Sequence, residues 1–215
     1  MDETPVAVEA QAEQVEQPVQ NLLVPLEEYL KAGLHIGTKF RTKYMEPFIY
    51  KIRPDGLTVL NVQKIDERIG MAARFMAKYS PEQILVVGRR ENSWKAAKMF
   101  SKVTGTKVFV GRYPPGILTN PNLDNFMEIK LLIVTDPGPE KNAVRDAVAV
   151  GVPVIAFCDT NNESNYVDFV VPCNNKGKKS LGLVFYILAR GYMKGRGLIS
   201  KDEEFTHQIG DFVEE

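Results

Sequence analysis

The chain has almost nothing with which to hold a metal ion or build a disulfide framework. Its only cysteines are Cys158 and Cys173 and its only histidines are His35 and His207, with no Cys-x-x-Cys pair among them. The sequence therefore predicts no metal site and no cofactor. Two cysteines set in apolar runs read as small buried hydrophobes in a reducing compartment. The first 20 residues contain no lysine or arginine, unlike a secretory signal or a transit peptide. No apolar run approaches the roughly 18–20 residues of a membrane-spanning helix. The expectation is a soluble, cytoplasmic protein.

Enzyme signatures are missing too. Gly88 stands alone before Arg89-Arg90-Glu91-Asn92-Ser93, and Gln63-Lys64-Ile65-Asp66 contains no glycine. Neither stretch matches the dinucleotide fingerprint or a P-loop, so the backbone cradle for a nucleotide is absent. No serine lies in G-x-S-x-G, and neither cysteine adjoins a histidine at a helix start. His35, in Leu-His-Ile-Gly, reads as a partly buried hydrogen-bonding residue.

Charge of one sign is missing only on average. The net charge is zero, with 27 basic and 27 acidic residues. Residues 1–20 hold five acids and no base, and residues 201–215 hold six acids and only Lys201. What lies between carries 26 bases against 16 acids, a net of +10. A basic body framed by acidic ends suits a polyanionic partner, because cations placed at phosphates release condensed counterions.

The 215 residues suffice for one domain. Residues 1–21 are rich in Glu, Gln, Ala, Val and Pro without an aromatic, a composition that buries too little apolar surface to offset ordering entropy, and are expected to be disordered. Pro25 opens a short helix closed by Gly33, and 35–50 reads as irregular and basic. Apolar β-branched runs at 57–62, 84–88, 107–111, 131–136 and 152–159, with a sixth at 166–172, read as strands. Helical periodicity falls at 65–79, 93–104, 141–150 and 180–194. Uniformly apolar strands alternating with helices predict right-handed βαβ units and a mainly parallel sheet of about five strands, an α/β fold with three layers. The α/β domain is placed at 22–197, with 198–215 an acidic C-terminal tail. The Pro- and Asn-rich stretch 112–130 is a long loop of the kind that usually carries function.

Ligands of doubly wound folds sit at the carboxyl ends of strands, where Asp136 and Asp159 stand. Posed as a carboxylate pair they suggest a cation site. Their neighbours Pro137-Gly138 and Thr160-Asn161 favour a plainer role, capping turns through short side chains.

Basic clusters are the positive signal. Residues 31–53 hold six cations against Glu46, interleaved with Phe40, Tyr44, Phe48 and Tyr50. Residues 89–107 hold a second group, and 174–196 hold six cations with no acid. Cations on irregular segments follow a phosphate backbone, while aromatics and asparagines stack on or bond to unpaired bases.

These segments resemble the small-subunit ribosomal protein two family, in its archaeal-type branch close to the eukaryotic SA, or laminin-receptor-like, protein. The stretches that carry the resemblance are AGLHIGTKFRTKYMEPFIYKIRPDGLTVLNVQKIDERI (32–69), GRRENSWKAAKMF (88–100), GRYPPGILTNPNLDNF (111–126), LLIVTDP (131–137) and VPVIAFCDTNNESNYVDFVVPCNNKGKKSLGLVFYILAR (152–190). The resemblance covers nearly all of 25–200. It implies a flavodoxin-like (Rossmann-like) domain with no catalysis, bound to small-subunit rRNA and neighbouring ribosomal proteins near the head–body junction. The inserted coiled-coil hairpin of the bacterial branch has no counterpart here. RNA contacts fall on the matching cations Lys39, Arg41, Lys43, Lys51, Arg53, Arg89, Arg90, Lys95, Arg112, Lys176, Lys178 and Lys179. Thr119 and Asn120 are expected to shape the long loop, and Asn174 and Asn175 the turn before the last helix.

Two other functions stay open on the residues alone. A phosphate- or nucleotide-binding enzyme on the same fold would need a phosphate-cradling loop. A protein–protein adaptor would use the acidic tails against a basic neighbour. Steep weakening by salt distinguishes RNA binding from apolar adaptor contacts.

Overall fold

The computed structural model describes residues 22–200 and 202–213; the expected N-terminal tail, 1–21, lies outside them. Helix α1 (Leu26–Ala32) ends where Gly33 takes a φ of 67° and returns its N–H to the carbonyls of Tyr29 and Leu30, a left-handed cap that suits glycine. A short hairpin follows, β1 (Ile49–Ile52) and β2 (Thr58–Leu60), and then α2 (Val62–Met76). Asn61 caps α2 by accepting the N–H groups of Gln63 and Lys64.

Five parallel strands form the centre: β3 (Ile84–Gly88), β4 (Lys107–Val110), β5 (Leu131–Val134), β6 (Val154–Cys158) and β7 (Phe169–Pro172). Their spatial order is β4-β3-β5-β6-β7, the flavodoxin-like winding. Strands β3, β5 and β6 are buried along their whole length, as their uninterrupted apolar sequences require. Alternate residues serve opposite faces. Ile84, Val86, Ile133, Ile155 and Phe157 join a core with α2, α3 (Glu91–Thr104) and α5 (Lys178–Gly195), whereas Leu85, Val87, Leu132, Val134 and Cys158 face α4 (Lys141–Ala149). Cys158 and Cys173 are buried free thiols, and burial pushes both up in pKa.

Two assignments need correction. The run 57–62 is not a strand of the parallel sheet. Its β2 pairs antiparallel with β1 in a separate ribbon, Ile49 opposite Leu60 and Ile52 opposite Thr58. The missed signal is Pro54-Asp55-Gly56, a turn sequence, with Gly56 at a φ of 81°. The fifth parallel strand is instead the sixth run, at Phe169–Pro172. By the same token 35–50 is less irregular than its composition implies, since Ile36 bridges Val59 and β1 begins at Ile49.

The long loop between β4 and β5 stands where a crossover helix would lie. Tyr113, Ile117, Leu118 and Ile129 are buried against Leu85, Val87 and α4. Asp146 of α4 holds this loop, accepting the Gly116 N–H at 2.7 Å and the Tyr113 hydroxyl at 3.1 Å. On the other face, α2 and α5 approach through small residues. A Cβ on Gly191 would stand 2.7 Å from that of Ala73, and one on Gly195 2.6 Å from that of Ala77. Any side chain at either glycine must push the helices apart.

The C-terminal segment expected as a tail is packed where it is described. Phe212 and Phe205 are only 1% and 8% exposed, and both meet the ring of Tyr186 on α5 edge-on. Asp202 lies 3.3 Å from Lys194 and 3.9 Å from Arg190, so part of its negative charge meets the chain's own cations. Aromatics at 205 and 212 supply the apolar area that 1–21 lacks.

Candidate nucleic-acid interface

Because β3 to β7 run parallel, the residues after each strand emerge at one edge of the sheet. Arg89 and Arg90 follow β3, Arg112 follows β4, and Lys176, Lys178 and Lys179 follow β7. Helices α4 and α5 begin at the same edge, with Lys141 and Lys178-Lys179 in first turns that contain no acid. The positive end of each helix dipole is thus reinforced, an arrangement unfavourable for an isolated helix and suited to an anion.

A second basic segment is laid across this edge. The Thr160 hydroxyl, just after β6, accepts the Thr38 N–H at 2.9 Å and donates to the Phe40 carbonyl at 3.0 Å. The Thr42 N–H reaches the Thr160 carbonyl at 2.9 Å, and the Thr42 hydroxyl donates to the Asn162 carbonyl at 2.8 Å. Gly37 makes this crossing possible, since a Cβ there would sit 2.5 Å from the Thr160 methyl. Between these fixed threonines Lys39, Arg41 and Lys43 are exposed, as are Phe40 (80%) and Tyr44 (62%). The β1–β2 hairpin extends the surface with exposed Tyr50, Lys51 and Arg53, the last 3.4 Å from Asp55.

Thr160→Val removes the latching hydroxyl's bonds with the Thr38 N–H, the Thr38 hydroxyl and the Phe40 carbonyl, and leaves the Thr38 N–H without its acceptor. Lost or unsatisfied hydrogen bonds of this kind cost about 1–3 kcal/mol. Amide exchange across 38–43 is expected to speed up at least ten-fold while the core strands keep their protection; unchanged exchange would show that the loop is held by something else.

The twelve cations differ in how they are engaged. Arg90 lies 2.6 Å from Asp136, and Lys176 lies 2.8 Å from Asp159, both carboxylates only 1% exposed. These two cations neutralise buried charge. Asp136 also accepts from the Gly138 N–H, and Asp159 from that of Thr160, as turn-capping residues do. Arg89 donates to the Pro139 carbonyl, and Lys95 to that of Val213. Lys39, Arg41, Lys43, Lys51, Arg112 and Lys179 are exposed and make no ion pair among the described residues.

The loop-shaping residues stand at turns. Asn174 accepts the N–H groups of Lys176 and Gly177 and donates to the Gly33 carbonyl. Asn175 is fully buried and donates to the Phe157 carbonyl and to Asn162. Asn120 accepts the Asn122 N–H, and the backbone N–H groups of Thr119 and Asn120 return to the Gly116 carbonyl. His35 is half-buried, and its Nδ1 has no hydrogen-bond partner among the described residues.

The crevice between β3 and β5, where the strand order reverses, is filled from within the chain. Glu140, 2% exposed, accepts the Arg89 N–H at 2.7 Å and the Thr135 hydroxyl at 2.9 Å. Its carboxyl thus occupies backbone donors that a ligand phosphate would take in a doubly wound enzyme. Sequence reasoning missed Glu140, since only the fold brings it against Arg89.

The family model described as Ribosomal protein S2 matches residues 29–127 and 121–195. Among curated proteins, the small ribosomal subunit protein uS2 of Nanoarchaeum equitans is 50% identical over 190 residues, covering 88% of this chain and 94% of that protein. The uS2 of Picrophilus torridus is 45% identical over 193 residues, 90% of this chain and 96% of the relative. That of Staphylothermus marinus is 43% identical over 211 residues, 98% and 96% respectively. Identity of this depth along both partners, on a fold of the expected winding, settles descent: the chain belongs to the ribosomal protein S2 family, in its archaeal type.

Proposed function

We propose that this chain is a non-enzymatic, structural constituent of the small ribosomal subunit, ribosome-bound in the cytoplasm, and that it binds small-subunit rRNA through the carboxyl edge of its sheet. The observation that carries this reading is the convergence of the latched segment 38–43, the strand-end cations and two helix N-termini on one edge. Lys and Arg neutralise phosphates there, while the rigid sheet holds the loops in register. Exposed Phe40, Tyr44 and Tyr50 offer faces for unpaired bases. Neighbouring ribosomal proteins and a place near the head–body junction complete the reading, which has the protein support subunit assembly and translation.

Sedimentation of a cell lysate tests it. The chain is expected to travel with small subunits at low salt and to be progressively stripped by high-salt washes. A chain confined to the soluble fraction at low salt would overturn the assignment.

A further inference from the structure

A cleft of about 430 Å³ opens beside the carboxyl ends of β5 and β6, outside the latched loop. Its floor is the Arg90–Asp136 pair, so the buried carboxylate there is already neutralised. One wall is the start of α4, where Lys141 and Arg145 are exposed and make no ion pair among the described residues. The other wall is the loop after β6, which contributes Asn165 and Tyr166. Tyr166 is the only non-glycine residue at positive φ, 63°, among the described residues, yet it is 70% exposed. Left-handed backbone under a large aromatic is strained, and such strain clusters at binding sites. The carboxylate of Glu163 also lines the cleft, leaving a lining with one excess positive charge.

We infer that this cleft holds one unpaired nucleotide of bound RNA, its base stacked on Tyr166 and its phosphate met by Lys141 and Arg145. The inference rests on the rRNA-binding reading above and adds to it a discrete site. The volume suits one nucleotide, being near the small end of ligand sites. A flat ring stacks on any base, the Asn165 amide offers both donor and acceptor to a base edge, and the two cations take a single phosphate group. A free mononucleotide offers the same chemistry, so the test must separate the two sources.

The full chain is irradiated with 4-thiouridine-substituted small-subunit rRNA of an archaeal relative, digested with nuclease, and searched for nucleotide adducts by mass spectrometry. Binding is measured in parallel for the wild type and Tyr166→Gly, a variant that relieves the left-handed strain and so loses the ring without endangering the fold. An adduct within 161–166 is expected, with rRNA affinity about ten-fold lower in Tyr166→Gly. The dependence on salt should be unchanged, because tyrosine carries no charge. If the wild type binds rRNA and Tyr166→Gly binds it equally, with adducts confined elsewhere, the cleft is not a nucleotide site while the interface reading stands. Failure of the wild type to bind rRNA at all overturns both. Tight binding of free uridine 5′-monophosphate by the wild type, lost in Tyr166→Gly with rRNA affinity intact, would assign the cleft to a small ligand and overturn the inference.

Discussion

Replacing Lys39, Arg41 and Lys43 together with glutamine is expected to lower rRNA affinity about 100-fold at 150 mM salt. The estimate follows from counterion release. Each phosphate contact contributes roughly 0.7–0.9 to the slope of log affinity against log salt, so three contacts contribute about 2–3. Extrapolated from near 1 M, where that contribution vanishes, a slope of this size amounts to about two orders of magnitude at 150 mM. The fold should be untouched, because all three side chains are exposed and the loop is tied down by Thr38, Thr42 and Thr160 rather than by its charges. Filter binding across a salt series, with thermal unfolding as a control, reads both. A large affinity loss with an unchanged slope would mean that the variant had disturbed shape instead of charge. Unchanged affinity would move the interface away from this edge.

The comparison with Arg90 sharpens that expectation. Its charge is held at 2.6 Å by buried Asp136, and removing one partner of a buried pair leaves the other unpaired. Arg90 therefore acts on stability first and on RNA only indirectly. The sequence shows a cation beside a strand end in both cases and has no means to tell them apart. What differs is the buried carboxylate, supplied 46 residues away.

Legibility followed the range of the forces involved. The strands β3, β5 and β6 were readable because burial on both faces demands an unbroken apolar run, visible locally. The run at 57–62 shares that composition, yet it sits in a two-stranded ribbon; only the Asp55-Gly56 turn beside it distinguishes the two. The acidity of 201–215 concealed that Phe205 and Phe212 dock on α5. Net charge describes solvation, whereas two buried rings decide packing. At the proposed interface, the cations were legible as residue types. Their convergence was not, since it follows from the parallel sheet bringing the ends of β3, β4 and β7, and with them Arg89, Arg112 and Lys176, to a common edge. The Thr160 latch joins residues more than 100 apart in sequence, beyond any local pattern.

Glutamate 140 yields the largest expected effect on stability. Burial drives its pKa up from 4.5 to about 8, against the opposing pull of its bonds from the Arg89 N–H, the Thr135 hydroxyl and the Asp136 N–H. The folded protein therefore keeps a proton that the unfolded chain releases near pH 4.5. Its contribution to stability is complete below that value and is lost as pH rises through the window to about 8. Each factor of ten in proton affinity is worth about 1.4 kcal/mol, so the loss from this one group approaches about 3 kcal/mol by pH 7. Glutamine has the same shape and no proton to lose. Its Oε1 accepts from Arg89 and Thr135 as the protonated acid does, and its amide nitrogen gives up only the long 3.4 Å bond from the Asp136 N–H. Glu140→Gln is thus expected to match the wild type in urea unfolding at pH 5 and to exceed it by about 3 kcal/mol at pH 8. A variant less stable than the wild type at pH 8 would show that Glu140 is ionised in the fold and that its three donors outweigh burial. The sheet edge would then hold an anion of its own making between β3 and β5, in the position where other doubly wound proteins bind a ligand's phosphate.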